Sequence, residues 1–372
     1  MAGLYFHIPF CKRICAYCDF YKSADLRLKE AVVGAMHDEL RREAKFLPAN
    51  RLRTIYFGGG TPSLLAPEQL EEFIRHAAEL FDCSELEECT VEANPDDLTP
   101  DYLARLARTQ VDRLSIGVQS FDDGELRLMN RRHTAAAARK AVRQAQDAGF
   151  KNVTIDLIFG VPGFGTETLK RNLRETVALG VQHISAYHLT IEPETAFGRR
   201  MARGAFAPVA EEVSQEEFLT VHRTLTDAGF EHYEVSNFAR SGRRALHNSA
   251  YWSGEPYLGI GPAAHSFDGE CRRWAAADIG RYLDGGDRYE SERLTERDHY
   301  NETVMTALRT ADGIDTEAIA LRFGRTRLET LLEAARPWLD AGDLTACGGR
   351  LSIPAERFLR SDAVIAALFW EC

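Results

Sequence analysis

Six short runs of β-branched and aromatic residues recur in the first half of the chain, and each is followed by a segment with helical spacing. In those segments apolar residues recur at i and i+3 or i+4, as in Leu70, Phe73 and Ala77, which is the period of a helix that buries one face. Strands that alternate with helices predict βαβ units and a parallel sheet. The predicted strands cover residues 4–8, 54–57, 89–93, 113–118, 152–159 and 183–191.

The predicted strands are apolar nearly throughout, which indicates a sheet covered on both faces. Polar or glycine residues stand at five of the strand ends. In barrels the carboxyl ends of the strands surround one common site. We therefore expect the α/β class and a partial, TIM-like (β/α)6 barrel rather than a doubly wound sheet.

The pattern changes after the sixth run. A helix is predicted over 211–228 and an edge strand over 230–239, whereas residues 240–290 have many turns and weak periodicity. Further on, three helices, a hairpin around Gly348–Gly349 and a last helix predict a small winged-helix-like α+β domain. Those helices cover residues 297–310, 315–323, 325–341 and 355–369. The predicted division is a barrel, a connecting region and a C-terminal domain, over residues 1–230, 231–294 and 295–372.

Composition indicates a soluble globular protein of barrel size with an appendage. The 372 residues are 45% hydrophobic and 27% charged, both ordinary values. No signal peptide and no membrane span are recognisable in the sequence, so a cytoplasmic protein is expected.

The net charge of −11 argues against broad binding to a phosphate backbone. The predicted appendage has Arg325, Arg327 and Arg336 in its possible recognition helix, but also Glu329 and Glu333. A protein-contact or lid role is therefore expected for it, and no nucleic-acid partner.

Three of the eight cysteines stand close together. Cys11, Cys15 and Cys18 have the spacing C-x3-C-x2-C. Three thiolates can hold three irons of a [4Fe–4S] cube, which leaves the fourth iron free for another ligand. A structural zinc site is the alternative, but it needs four ligands, and the other five cysteines show no paired spacing.

Polar and glycine residues follow the predicted strands. The run GGGTP at 58–62 comes directly after the second strand, where consecutive glycines let the backbone approach a ligand closely. A phosphate loop is the competing idea, but G-x4-G-K-[ST] is absent. Glu92, Gln119 and Asp156 lie at or near the ends of the next three strands, and Arg131 follows the fourth. We expect these side chains to converge on the mouth of the barrel.

The order of the motifs resembles one branch of the radical S-adenosylmethionine (SAM) proteins, which contains the oxygen-independent coproporphyrinogen III oxidases and the heme chaperones. The similar segments run from about residue 4 to 270 and are YFHIPFC, GGGTPSLL, VEANP, GVQSF, DLIFGVPG, YEVSNFA and LGIGPAAHSF. The resemblance implies that the three cysteines ligate the cluster, whose open iron takes the amino and carboxylate groups of SAM. It implies SAM contacts at Tyr5, Gly59, Gly60, Thr61, Glu92, Gln119, Arg131, Asp156, Thr190 and His265.

Two features separate the oxidases from the chaperones of this branch. The oxidases carry a further cysteine two residues after the third, whereas this chain has Phe20 at that position. They also have a sizeable extension before the first strand, whereas this chain begins four residues before Tyr5. Both departures favour the chaperones.

The segment HNSAYW at 247–252 resembles the heme motif of the chaperones. The resemblance implies heme contacts at His247, Asn248, Tyr251 and Trp252, with an imidazole for the iron and flat aromatic surface for the porphyrin. The alternative is a loop with a hydrogen-bonded histidine and two core aromatic residues. His265 is a competing axial candidate, but its surroundings resemble the SAM pocket.

The expected function is therefore that of a heme chaperone with a [4Fe–4S] cluster, SAM and heme. Its expected partners are a heme acceptor such as a respiratory enzyme and a donor of electrons or heme, with peripheral membrane association only through a partner. The alternative is an oxygen-independent coproporphyrinogen III dehydrogenase, a radical SAM enzyme of oxidative decarboxylation. A radical SAM enzyme with another substrate is the third possibility. The sequence leaves open whether SAM is cleaved and which oligomer forms.

Overall fold

Six parallel strands form the centre of the molecule. The computed structural model describes residues 1–285 and 289–371. The strands lie side by side in chain order, as β1 (Ala2–Ile8), β2 (Leu52–Gly59), β3 (Glu88–Ala93), β4 (Arg113–Gln119), β5 (Asn152–Phe159) and β6 (His183–His188). The helices between them are α1 (Lys29–Glu43), α2 (Pro67–Leu80), α3 (Pro100–Leu106), α4 (Asp123–Leu128), α5 (Ala135–Asp147) and α6 (Gly165–Ala178). The predicted partial (β/α)6 barrel is confirmed.

Strand β1 shows how the alternation of side chains builds the barrel. Leu4, Phe6 and Ile8 are buried on one face, and the Phe6 ring lies 4.8 Å from that of Phe73 on α2, measured between centroids. Tyr5 and His7 therefore point to the opposite face, because successive strand residues alternate. The outer face packs against helices and the inner face lines the barrel.

The chain from 196 to 293 extends this sheet at both edges. It forms α7 (Ala196–Ala202), α8 (Glu211–Asp227), β7 (Glu231–Glu234), β8 (Asn237–Ala239), α9 (Leu246–Ser253), β9 (Tyr257–Ile260), β10 (His265–Phe267), β11 (Cys271–Ala275), α10 (Ile279–Asp284) and β12 (Tyr289–Arg293). Strand β8 pairs with β6, and β9 pairs in parallel with β1. Within the described residues the sheet reaches twelve strands. The edge strand predicted over 230–239 is in fact two strands, and 240–290 holds elements that the weak periodicity did not reveal.

The C-terminal domain has its own three-stranded sheet. Its elements are α11 (Glu296–Ala307), β13 (Ile314–Asp315), α12 (Thr316–Phe323), α13 (Arg325–Asp340), β14 (Thr345–Cys347), β15 (Arg350–Ser352) and α14 (Ser361–Ala367). The hairpin turns at Gly348 and Gly349, both with positive φ, as the sequence predicts. A 3-10 turn at Ala355–Arg360 precedes α14, so the helix predicted over 355–369 is divided. The predicted winged-helix-like α+β domain is confirmed.

The domain boundary at 230 cuts through a continuous sheet, because β7 and β8 extend it beyond β6. The C-terminal domain joins the barrel through α11, which contacts α9. The division into three parts stays a prediction. None of the helices in 1–285 and 289–371 is both long and apolar enough to cross a membrane.

Candidate functional site

A cavity of about 360 Å³ lies where the barrel strands end. It brings together eleven of the residues that the sequence singles out, from four of the six parallel strands or from the loops that follow strands. They are Cys11, Cys15, Cys18, Gly59, Gly60, Thr61, Glu92, Gln119, Arg131, Asp156 and Thr190. Phe20, which is 67% exposed, lines the same cavity. The convergence of successive strand ends on one mouth follows from the parallel topology.

The three cysteines lie in the loop after β1, and hydrogen bonds hold this loop against the barrel. The Cys11 N–H donates to the Ser23 carbonyl at 2.9 Å, and the Thr61 hydroxyl donates to Cys11 Sγ at 3.4 Å. Arg131 Nη1 donates to Cys15 Sγ at 3.2 Å. Burial raises the pKa of the Cys11 and Cys18 thiols, so a cationic partner is needed to favour thiolates.

The glycines of the second loop are required by space. A Cβ on Gly60 would lie 2.7 Å from the Ile8 carbonyl oxygen, and one on Gly59 would lie 2.6 Å from the His7 ring. Gly59 also has a φ of 100°, in the left-handed region that favours glycine. Its N–H donates to Glu92 Oε2 at 3.2 Å. The loop can therefore follow β1 and the cysteine loop closely, with backbone facing the cavity.

Two carboxyl groups stand in the wall of the cavity. Glu92 accepts a hydrogen bond from the Tyr56 hydroxyl at 2.7 Å, and Asp156 accepts one from Ser115 at 3.2 Å. Desolvation raises the pKa of Glu92 to about 7 and that of Asp156 to about 6. Both groups can therefore hold a proton near neutral pH, which makes them able to donate as well as accept.

Arg131 connects the cysteine loop to the barrel. Its Nη2 donates at 2.5 Å both to Asn94 Oδ1 and to the Gly117 carbonyl. Its buried Nε has no hydrogen-bond partner in the part of the chain that the structure describes. Gln119 ends β4 with a φ of 67°, a strained conformation for a residue with a side chain. An unpaired donor and a strained strand end in one cavity are features of a ligand site.

The donor set fits a [4Fe–4S] cluster with SAM. Three thiols, a backbone loop without side chains, two carboxyls and a guanidinium face one cavity, which matches thiolate ligation on one side and an amino acid moiety on the other. Among the described residues no three His, Cys, Asp or Glu side chains are grouped closely enough for a single metal ion. When bound, the cluster supplies an electron-transfer centre with one iron open to SAM.

Two residues assigned to SAM by resemblance lie elsewhere. Tyr5 is inside the barrel, where its ring stacks on Tyr56 and its hydroxyl contacts His7 Nδ1 at 3.1 Å. His265 is exposed and stacks on Trp274 with 5.9 Å between the ring centroids. Neither side chain lines the cavity. Their contact with SAM stays a prediction.

The HNSAYW segment forms α9, which closes the opposite end of the barrel. His247 is 1% exposed, and both ring nitrogens are engaged, Nδ1 with Thr54 Oγ1 at 2.7 Å and Nε2 with the Tyr251 hydroxyl at 2.9 Å. Burial lowers the pKa of His247 to about 3. The segment is a helix rather than the loop of the alternative interpretation, yet its histidine is hydrogen-bonded as that interpretation expects.

A buried carboxylate holds α9 in place. Glu88, the first residue of β3, accepts hydrogen bonds from the N–H groups of Leu246 and His247 at 2.9 and 3.1 Å. Arg113 Nη1 lies 3.7 Å from the same carboxylate. Free N–H groups at a helix start attract negative charge. Sequence reasoning missed Glu88, because nothing in its local pattern shows that the first N–H groups of a helix more than 150 residues later bind to it.

A second and larger cavity, about 710 Å³, lies between α9 and the C-terminal domain. Tyr251 and Trp252 of the HNSAYW segment line it, whereas His247 and Asn248 do not. Aromatic and titratable side chains from β9, β10, α11 and α12 form other parts of its wall, including Tyr257, Phe267, His299 and Phe323.

Comparison with known proteins places these features in context. The sequence model of the radical SAM superfamily matches residues 5–176, and that of the HemN C-terminal domain matches residues 294–356. The heme chaperone HemW of Lactococcus lactis is 36% identical over 86% of this chain and 84% of its own length. The heme chaperone HemW of Bacillus subtilis is 33% identical over 88% of each chain.

Two further comparisons extend the similarity. A mitochondrial mouse protein, radical S-adenosyl methionine domain-containing protein 1, is 36% identical over 71% of this chain and 60% of its own length. The solved structure of coproporphyrinogen III oxidase (HemN) from Escherichia coli superposes with a TM-score of 0.84 over 99% of this chain and 90% of that chain, at 22% identity. The latter likeness shows the fold.

Proposed function

The chain belongs to the family of the heme chaperone HemW within the radical SAM superfamily, whose members use a [4Fe–4S] cluster and SAM, and on this premise we propose that it binds heme and passes it to an acceptor protein. Cys11, Cys15 and Cys18 hold the cluster in the smaller cavity, and the glycine loop, Glu92, Gln119, Arg131 and Asp156 hold SAM beside it.

The larger cavity is the observation that carries the heme proposal. Its volume of about 710 Å³ is within the usual range for a pocket that buries a drug-sized ligand. Tyr251 and Trp252 of the HNSAYW segment face it, and flat aromatic rings suit a porphyrin face. His247, whose ring contacts Thr54 of β2, holds this helix on the barrel.

The proposed partners are a heme acceptor such as a respiratory enzyme and a donor of heme or electrons, with any membrane association made through the partner. The proposed compartment is a reducing cytoplasm. Seven of the eight cysteines belong to the described residues and all seven are free thiols, and exposed [4Fe–4S] chemistry is sensitive to oxygen. Acidic net charge, −11, supports a protein acceptor rather than a nucleic acid.

Anaerobic reconstitution followed by hemin titration tests the proposal. The cluster-loaded protein is expected to take up one heme per chain with a Soret band, and to lose it to an apo-acceptor. Incubation with coproporphyrinogen III, SAM and a reductant is expected to leave the substrate unchanged. No heme uptake, or formation of protoporphyrinogen, contradicts the proposal, and the second result favours the coproporphyrinogen dehydrogenase.

A further inference from the structure

The iron ligand in the proposed heme site can be sought among the histidines. All eleven histidines belong to the described residues, and nine of them have a hydrogen bond through a ring nitrogen. These nine are His7, His37, His76, His133, His183, His188, His222, His232 and His247. The remaining two, His265 and His299, have no such bond to any part of the chain that the structure describes. Within residues 1–285 and 289–371, only these two offer an imidazole whose ring nitrogens are both without a hydrogen bond.

Of these two histidines, only His299 lines the larger cavity. It lies on the first turn of α11 and is half-buried. Trp252 and Tyr251 line the same cavity from α9, which α11 contacts. An unengaged imidazole and a flat aromatic surface thus share one cavity, as iron ligation and porphyrin contact require.

His247 is poorly placed for the same task. Ligation of iron by either ring nitrogen would require breaking its hydrogen bond to Thr54 or to Tyr251. Heme would also have to pass α9 to reach it, because His247 is buried and does not line the larger cavity.

One cavity arginine is available for a carboxylate. Arg244, Arg272, Arg322 and Arg350 line the cavity. Arg244 pairs with Glu231 and Asp312, Arg272 pairs with Glu302, and Arg350 pairs with Asp315. Arg322 has no ion pair within the described residues and lies over the Phe323 ring. Heme has two propionate groups, and a free guanidinium in the same cavity is a suitable partner for one of them.

We propose that His299 ligates the iron of bound heme in the cavity between α9 and the C-terminal domain, and that Arg322 pairs with a propionate. The inference rests on the proposed function, since it needs a chain that binds heme. It gives the C-terminal domain a direct part in holding the cargo, and gives Tyr251 and Trp252 the role of the porphyrin surface.

Titration of cluster-loaded protein with hemin and with metal-free protoporphyrin IX tests the two contacts separately. His299→Ala is expected to weaken hemin binding at least tenfold and to shift the Soret band, while protoporphyrin IX binding stays within twofold of wild type. Added imidazole is expected to restore the Soret position. Arg322→Ala is expected to weaken both porphyrins by a similar factor, because the propionates are common to both.

His265→Ala is the matched control, because it removes the other unengaged histidine outside the cavity. Met305→Leu tests the other soft donor in the cavity wall. Unchanged hemin affinity and an unchanged Soret band in His299→Ala overturn the inference, as does a spectral change in Met305→Leu or His265→Ala in its place. In those cases wild type still binds heme and the proposed function stands. A wild-type protein that takes up no heme overturns both.

Discussion

His247 illustrates how burial decides what a side chain can do. The sequence presents it as a metal ligand within a motif, whereas the fold places its ring against Tyr56, with 4.9 Å between the centroids, and engages both nitrogens. The local sequence pattern identifies which residue types form the site. It also predicts that Cys11, Glu92 and Asp156 lie close together, because they follow or end parallel strands. It could not predict the environment of His247, because Thr54 lies 193 positions away.

Replacement of His247 is expected to act on stability. His247→Ala removes a buried ring and leaves the Thr54 hydroxyl without its partner, so the free energy of unfolding should fall by about 2–4 kcal/mol. Chemical denaturation of anaerobic, cluster-loaded protein measures it. His265→Ala, on the exposed surface, should change the value by less than about 0.5 kcal/mol. Equal effects of the two variants would contradict the described burial.

A buried carboxyl away from the cavities makes stability depend on pH. Desolvation raises the pKa of Glu234 to about 7, so the folded chain keeps a proton that the unfolded chain releases near pH 4.5. Folding then takes up a proton between these values, and stability falls as pH rises from about 4.5 to about 7, by up to about 3 kcal/mol.

Glu234→Gln tests this directly, because glutamine can accept the Ser236 N–H without titrating. Unfolding free energies of the two proteins, measured from pH 5 to pH 8, should differ increasingly in favour of the variant, and the difference should level off above pH 7. The other titrating groups are common to both proteins and cancel. A constant difference would show that Glu234 does not titrate in this range.

At the scale of elements, helix α9 depends on a residue from a distant strand. The first strands β1–β6 were predictable, because their apolar runs are long and are separated by helical spacing. Strands β9–β12 were not, because they have three to five residues and their stability comes from pairing with neighbours. The helical state of HNSAYW likewise follows from its contacts with β2 and β3 rather than from its own pattern.

Glu88→Ala should therefore destabilise α9 and its packing against the end of the barrel. It removes the acceptor for two N–H groups of α9 and leaves Arg113 buried without its carboxylate, and the expected loss is about 3 kcal/mol or more. The control is Glu87→Ala, since Glu87 is exposed and forms a surface pair with Arg53, worth at most about 1 kcal/mol. Urea unfolding followed by tryptophan fluorescence compares them. A smaller loss of unfolding free energy in Glu88→Ala than in Glu87→Ala would be inconsistent with Glu88 binding the first N–H groups of α9.

Gly60→Ala should disturb the loop that borders the cluster. Its Cβ would meet backbone atoms of Ile8 and Phe10 within 3 Å, so the loop must move away from the cysteines. Iron and sulfide content after anaerobic reconstitution should fall well below wild type. Gly34→Ala is the control, because a Cβ on Gly34 meets nothing within 4 Å and alanine favours the helix. Full cluster content in Gly60→Ala would refute the spatial requirement.

The whole molecule places its two cavities at opposite ends of one barrel. The smaller is built from strand ends and loops of the barrel alone, whereas the larger also needs the C-terminal domain. The sequence predicted the barrel and the C-terminal domain. The cavity between them depends on how α11 packs against α9, and no local sequence pattern contains that information. The proposed heme site is therefore a property of the assembled molecule.

Heme loading should slow hydrogen exchange of backbone amides where the C-terminal domain borders the larger cavity. If the larger cavity holds heme, amides of α11 and α12 should exchange at least several-fold more slowly in the loaded protein, because ligand binding stabilises the state that binds it. Amides of α2, on the outside of the barrel, should be unaffected. Mass spectrometry of peptides from both regions provides the comparison. Protection at α2 with none at α11 would place heme elsewhere.

The positions of the cavity walls in the sequence also set the order of assembly during synthesis. The smaller cavity is lined by residues from Cys11 to Thr190, and the larger by residues from Tyr233 to Arg350. Ribosomes deliver the N-terminal part first. A nascent chain can therefore complete the walls of the smaller cavity while the larger cavity still lacks the side formed by the C-terminal domain. The proposed cluster site can thus have all its walls before the proposed heme site has, since the latter needs the chain as far as Arg350.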